Sequence, residues 1–233
     1  MITIDHLVKR RRSRTVLDHV GFEARPGRVT AFLGPNGAGK SSTLRILLGL
    51  DHPDSGTALF DGRPYRTLTD PLRTVGSMLE GAGAHRSRTA RNHLAWIARS
   101  NGIPQSRVAE VLDEVGLTAD AKVRVAKYSL GMGQRLGIAA ALLGEPKVLV
   151  LDEPVNGLDP EGIRWIRKLL RGRADSGGTV LLSSHLMSEV ADVADDLVVI
   201  AGGRIVSTGT VADVTSGYAD LEEAFFALTG GAR

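Results

Sequence analysis

The chain has 233 residues, 29 basic and 26 acidic side chains, and no cysteine. Disulfides and thiolate metal sites are thereby excluded, and a formal charge of only +3 leaves no broad basic surface to argue from. No apolar run is long enough for a membrane span, and Met1-Ile2-Thr3-Ile4-Asp5 lacks the basic region and apolar core of a signal peptide, so a chain resident in the cytosol is expected unless another subunit holds it at a membrane.

Residues 2–8 and 15–24 alternate apolar and polar positions, which predicts antiparallel strands at the edge of the core. Between them Lys9-Arg10-Arg11-Arg12-Ser13-Arg14 is strongly basic, but without interleaved aromatics it reads as a solvated turn rather than a nucleic-acid patch. Residues 29–33 form a short buried strand, 42–50 a helix ending before Pro53, and 57–60 a strand closed by the turn Asp61-Gly62-Arg63. From 87 to about 125 the period becomes helical, with Leu94, Ile97 and Ala98 on one stripe and Val108, Val111, Leu112 and Val115 on another. Pro104 is expected in the first turn of the second helix, where its missing N–H costs nothing.

After this helical lobe, residues 147–151, 179–182 and 196–201 are apolar strands separated by helix-length segments, which predicts a mainly parallel sheet. Gly202-Gly203 signals a hairpin into 204–207, and 211–228 reads as two small helices. The expected organisation is one domain over 2–230. Its parts are an N-terminal β region with the first part of the core (2–86), the helical lobe (87–135), the rest of the core (136–210) and C-terminal helices (211–230).

The chemistry begins at Gly34-Pro35-Asn36-Gly37-Ala38-Gly39-Lys40-Ser41-Ser42, a Gly-x-x-x-x-Gly-Lys-Ser spacing between a strand and a helix. Such a loop wraps backbone N–H groups around a triphosphate and aims the helix N-terminus at it, while Lys40 adds a point charge and Ser41 a hydroxyl for magnesium. A nucleoside triphosphate and Mg2+ are the expected ligands. Downstream, Val148-Leu149-Val150-Leu151-Asp152-Glu153 is an apolar strand ending in two carboxylates. Paired acids at a strand end also serve as helix caps; with the phosphate loop present, Asp152 fits magnesium and Glu153 the water that attacks the terminal phosphorus. Tyr128-Ser129-Leu130-Gly131-Met132-Gly133-Gln134-Arg135 then opens an apolar helix over 136–143, a second anion cradle with no second triphosphate in the chain to fill it.

Together these segments closely resemble the nucleotide-binding subunit of ATP-binding cassette (ABC) transporters, over essentially residues 2–228. The resemblance implies an α/β P-loop NTPase core with a mainly parallel sheet, an N-terminal antiparallel β subdomain and an inserted α-helical subdomain. It also implies a head-to-tail dimer, with a second copy or a paralogue, in which Ser129 and Gly131 of one subunit close over ATP on the other. The usual signature is Leu-Ser-Gly-Gly-Gln. Alignment on Gly133-Gln134 would put Gly131 at the serine, whereas the Ser-Leu-Gly-Met-Xaa-Gln variant common among bacterial export-type members keeps Ser129 at the serine, Leu130 at the first glycine and Gly131 at the second, and is the arrangement adopted. Asn156-Gly157-Leu158-Asp159 resembles the loop that crosses the dimer axis, and His185 resembles the switch histidine on the γ-phosphate. Lys40, Glu153 and His185 are then the expected catalytic set.

Two positions depart from the family. Glu80 stands where a glutamine usually meets magnesium; a carboxylate can still coordinate it but cannot donate as an amide does. Arg11 stands where an aromatic ring usually stacks on adenine, and a guanidinium plane can stack in its place. Glu80 and the ending around Leu221-Glu222-Glu223-Ala224-Phe225-Phe226 resemble bacterial multidrug and peptide-antibiotic exporters. The expectation is an ATPase at the cytoplasmic face of the membrane, working with a transmembrane permease and not with nucleic acid. An importer ATPase, a soluble cassette ATPase acting on DNA or ribosomes, and a nonhydrolytic nucleotide-binding regulator are the rival readings.

Overall fold

The computed structural model describes residues 1–79 and 83–230. In chain order it has strands β1 (Ile2–Arg11), β2 (Arg14–Ala24) and β3 (Arg28–Leu33), helix α1 (Lys40–Leu47), strand β4 (Ser55–Phe60), helix α2 (Pro71–Thr74) and strand β5 (Val75–Met78). Helices α3 (Ala90–Ser100), α4 (Ser106–Glu114) and α5 (Leu130–Leu142), strand β6 (Val148–Asp152), helix α6 (Pro160–Asp175), strand β7 (Thr179–Ser184) and helix α7 (Met187–Ala191) follow. Strands β8 (Asp196–Ala201) and β9 (Arg204–Thr210) and helices α8 (Val211–Thr215) and α9 (Leu221–Gly230) complete it. The chain divides into two compact units, Met1–Leu68 with Arg167–Arg233, and Thr69–Ile166. No helix among the described residues is long and apolar enough to cross a membrane.

In the first unit β1 lies between β2 and β4, antiparallel to both, with Ile2 opposite Ala24 on one side and Phe60 on the other. Strand β3 lies between β7 and β8, parallel to both, and β9 returns antiparallel along β8. Val29, Ala31, Phe32, Leu33 and the run Leu197–Ile200 are buried, the continuous apolar pattern of strands covered on both faces. The hairpin turn falls at Gly202-Gly203, as its two glycines predict. Polar ties fix the entry to this sheet: Arg28 forks onto Asp196 at 2.5 and 2.6 Å, and Asp195 accepts from the Val29 N–H and from Arg171 of α6, both at 2.8 Å.

In the second unit β5 and β6 run parallel from Val75 opposite Val148 to Met78 opposite Leu151. Helix α5 packs so close to β5 that a Cβ on Gly76 would overlap the Ala141 carbonyl. Leu94, Ala98, Val108, Val111, Leu112, Val115 and Leu136 fill the space among α3, α4 and α5, with Ile97 only half-buried. An α/β architecture with parallel strands, an antiparallel sheet and a cluster of helices is therefore present as expected.

Local details differ from the sequence reading. Pro104 lies ahead of α4 rather than in its first turn, and its carbonyl accepts from Arg107 N at 3.1 Å. Helix α1 begins at Lys40 and stops at Leu47, because the Leu48 and Gly49 amides bond back to Leu44 and Ile46 and Gly49 then turns left-handed. Helix α5 starts at Leu130 with Ser129 as its N-cap, which agrees with reading Ser129 and Gly131 at a helix start.

Candidate active site

The phosphate loop is shaped by close approach at two glycines. Gly34 passes against β8 so tightly that a Cβ on it would overlap the Ile200 carbonyl and stand 2.7 Å from Ile200 Cγ2. Gly39 has φ 119°, a conformation side chains rarely adopt, and a Cβ there would lie 2.6 Å from Leu17 Cδ2. The loop is braced from below by the β8–β9 turn, where Gly203 N–H donates to the Ala38 carbonyl at 3.1 Å. Pro35, Asn36 and Gly37 stay exposed, as does Ser41 at the start of α1, while Ser42 is half-buried. Lys40 is only 6% exposed and its Nζ donates to the Gly34 carbonyl at 2.6 Å, spanning the mouth of the loop. Amides at a helix N-terminus, a lysine and a hydroxyl together suit a polyphosphate.

His185 belongs to the same unit. Leu33 pairs with Ser184 at the ends of the parallel strands β3 and β7, so the next residues along, Gly34 and His185, leave the sheet at one end. His185 is exposed, and the buried Ser184 shapes the turn after it by accepting from Leu186 N at 3.0 Å.

In the second unit, Asp152 ends β6 and is 7% exposed. Glu153 follows with φ 49°, an uncommon conformation for a residue with a side chain, and the strain is held by neighbours. Its carbonyl accepts from Gln134 Nε2 at 2.9 Å and from Asn156 N at 3.2 Å. Gln134 is buried, and the sequence reading passed over it as a functional residue; its place in the signature segment was the available signal.

The signature residues stand at the start of α5. Ser129 is the N-cap, its Oγ accepting from Met132 N at 3.2 Å, and Gly131 lies against the loop after Glu153, where a Cβ would be 2.8 Å from the Gly157 carbonyl oxygen. Asp159 caps α6 by accepting from Gly162 N at 2.8 Å. Arg135 fastens α5 to its surroundings: it stacks 4.7 Å from the Trp165 ring centroid and donates to the Val115 carbonyl at 2.9 Å, while Trp165 Nε1 donates to the Glu114 carbonyl. Glu153, Ser129, Gly131 and Asp159 are thus joined in one unit.

Arg11 ends β1 with its guanidinium on Asp51 at 3.2 Å, and Lys9 holds the same carboxylate at 3.0 Å. Burial opposes ionisation of Asp51, but the bonds from Lys9, His52 N–H and Arg11 outweigh it and hold the carboxyl below its ordinary range. Arg11 is therefore tethered to the segment that follows α1. Glu80 lies outside the described residues.

A family model described as ABC transporter matches residues 17–156. Over 225 residues the chain is 38% identical to the lantibiotic transport ATP-binding protein SrtF of Streptococcus pyogenes, covering 97% of this chain and 96% of that one. It is 41% identical over 209 residues to the bacitracin transport ATP-binding protein BcrA of Bacillus licheniformis, covering 88% and 68%. A solved structure of the ATP binding subunit of an ABC transporter superposes with a TM-score of 0.88 at 28% identity, covering 98% of this chain and 99% of that one. With a family model across more than half of its length and relatives matching it almost end to end, the chain belongs to the ABC transporter family, as an ATP-binding and ATP-hydrolysing subunit.

Proposed function

We propose that this subunit hydrolyses ATP in a head-to-tail pair, with itself or a paralogue, to power export of a peptide antibiotic or drug-like compound through a separate membrane subunit at the cytoplasmic face. The observation that carries the hydrolytic part is the loop spanned by Lys40 with His185 leaving the sheet beside it. Similarity to lantibiotic and bacitracin transport proteins supports the class of cargo.

In this reading the N–H groups of the phosphate loop hold the phosphates, Pro35 having none to offer, and Lys40 exchanges its bond to Gly34 for the terminal phosphate oxygens. Arg11 leaves Asp51 to stack on the base. Ser41, Asp152 and Glu80 are the proposed magnesium donors, because a hydroxyl and carboxylates are hard oxygen donors of the kind it prefers. Bound there, it would neutralise charge on the phosphate oxygens. Glu153 takes the proton of the attacking water, and His185 steadies the γ-phosphate. Ser129 and Gly131 serve the nucleotide of the opposite subunit, and Asp159 meets that subunit across the axis.

The test is turnover and oligomeric state of the wild type and Glu153→Gln with ATP and magnesium, alone and with any membrane protein that co-purifies from the native host. A hydrolysing wild type and an ATP-locked dimer of Glu153→Gln are expected. A mutant that stays monomeric at saturating ATP would contradict the reading.

A further inference from the structure

Leu130 and Gly157 fit one another as a projection and a gap. Gly157 has φ 76°, and a Cβ built on it would overlap Cγ and Cδ2 of Leu130 and stand 3.2 Å from its Cβ. From the other side, a Cβ on Gly131 would stand 2.8 Å from the Gly157 carbonyl oxygen and 3.8 Å from Leu158 Cδ2. The first turn of α5 and the 154–159 loop therefore meet with no room for a methyl group at either glycine. Both ends of that loop are also tied: Gln134 holds the Glu153 carbonyl, and Asp159 caps α6.

Leu130 is 71% exposed. Within the single subunit most of its surface lies in water, so packing inside the subunit does not account for a large apolar side chain at this helix start. What the side chain does is fill the space that a residue other than glycine at 157 would need.

We infer that Leu130 is a positioning residue: seated over Gly157, it holds the 154–159 loop against the first turn of α5, so that Glu153 and Asp159 keep a set orientation relative to Ser129 and Gly131. The inference rests on the reading that Glu153 activates water and Ser129 serves the opposite nucleotide. Because the seat is steric, it depends on the volumes at 130 and 157 jointly, which single changes and their combination separate.

The experiment compares Gly157→Asn, Leu130→Ala and the double variant in the full chain. Asparagine tolerates a left-handed φ better than most residues, so this change tests the added Cβ more than the backbone angle. Gly177→Asn, at φ 85° with open space around it, is the control and should turn over as wild type. Gly157→Asn is expected to lower kcat at least tenfold with KM changed less than threefold, and the added Leu130→Ala to bring kcat back within threefold of Leu130→Ala alone. Undiminished kcat in Gly157→Asn or in Leu130→Ala, or a double variant slower than Leu130→Ala by more than threefold, overturns the inference. Should Gly157→Asn fail to fold, Leu130→Ala alone decides: a three- to tenfold lower kcat at an unchanged melting temperature supports it, and an unchanged kcat overturns it. A wild type without turnover would sink the hydrolytic reading instead. Thermal unfolding would then judge the pair, compensating shifts in the double variant supporting it and additive shifts overturning it.

Discussion

The ammonium of Lys40 donates to the carbonyl of Gly34 across the mouth of the phosphate loop at 2.6 Å, in a lysine that is almost fully buried. The charge is thereby held over the amides before any phosphate arrives. Lys40→Met keeps the length of the side chain and removes both the charge and the donor. A hydrogen bond to a charged group contributes about 1.5–3 kcal/mol, so the ATP dissociation constant should rise roughly ten- to a hundredfold. Calorimetric titration measures this directly; an unchanged constant would take Lys40 out of the site.

Gln134 is the hinge between the signature segment and the catalytic glutamate of the proposed mechanism. Its Nε2 donates to the Glu153 carbonyl, as does Asn156 N–H, and Glu153 sits at a strained φ that these bonds help to hold. Gln134→Leu keeps the volume and removes the donor. A loss of about 1–1.5 kcal/mol is expected in the transition state, roughly tenfold in kcat, with little change in ATP affinity. Steady-state kinetics and an equilibrium nucleotide titration separate the two effects; equal losses in both would show that Gln134 serves binding instead.

The phosphate loop and the acidic strand end were legible because each is a local pattern. A Gly-Lys-Ser spacing between strand and helix, and an apolar run ending in Asp152-Glu153, are written in consecutive residues. The parallel strands were legible for the same reason, since burial on both faces demands unbroken apolar runs. What local pattern cannot carry is who meets whom. Asp51 lies 40 residues from Arg11 in sequence yet holds its guanidinium, Gln134 reaches Glu153 across 19 residues, and Gly34 owes its identity to Ile200.

Asp195 ties the beginning of β3 to α6 and should make stability acid-sensitive. Burial disfavours its charge, but the Val29 N–H, the Arg171 ion pair and the nearby Arg28 outweigh burial and hold the carboxyl below its ordinary value. A depressed carboxylate contributes stability that is fully present above its unfolded pKa, near 3.9, and is lost as pH falls through the lower folded value. Asp195→Asn keeps an acceptor for Val29 but not the charge facing Arg171. It should cost about 1 kcal/mol at pH 7, a penalty that shrinks below about pH 4. Urea unfolding midpoints at pH 7, 5 and 3.5 give the comparison, and a penalty that grows on acidification would reverse the assignment.

Arg11 has two claims on its guanidinium, the carboxylate of Asp51 in the structure and the adenine base in the proposed mechanism. To stack on a base it must give up the ion pair, which weakens its net contribution. Arg11→Tyr removes that competition, because a ring needs no partner at Asp51 and Lys9 still holds the carboxylate at 3.0 Å. Base–aromatic stacking contributes about 1–3 kcal/mol, so ATP should bind roughly five- to a hundredfold more tightly. Fluorescence titration of wild type and Arg11→Tyr with ATP and with the triphosphate alone tests the idea, since the triphosphate lacks the base and its affinity should not change. Equal ATP affinity in the two proteins would place Arg11 outside the nucleotide site and leave the pair with Asp51 as its role.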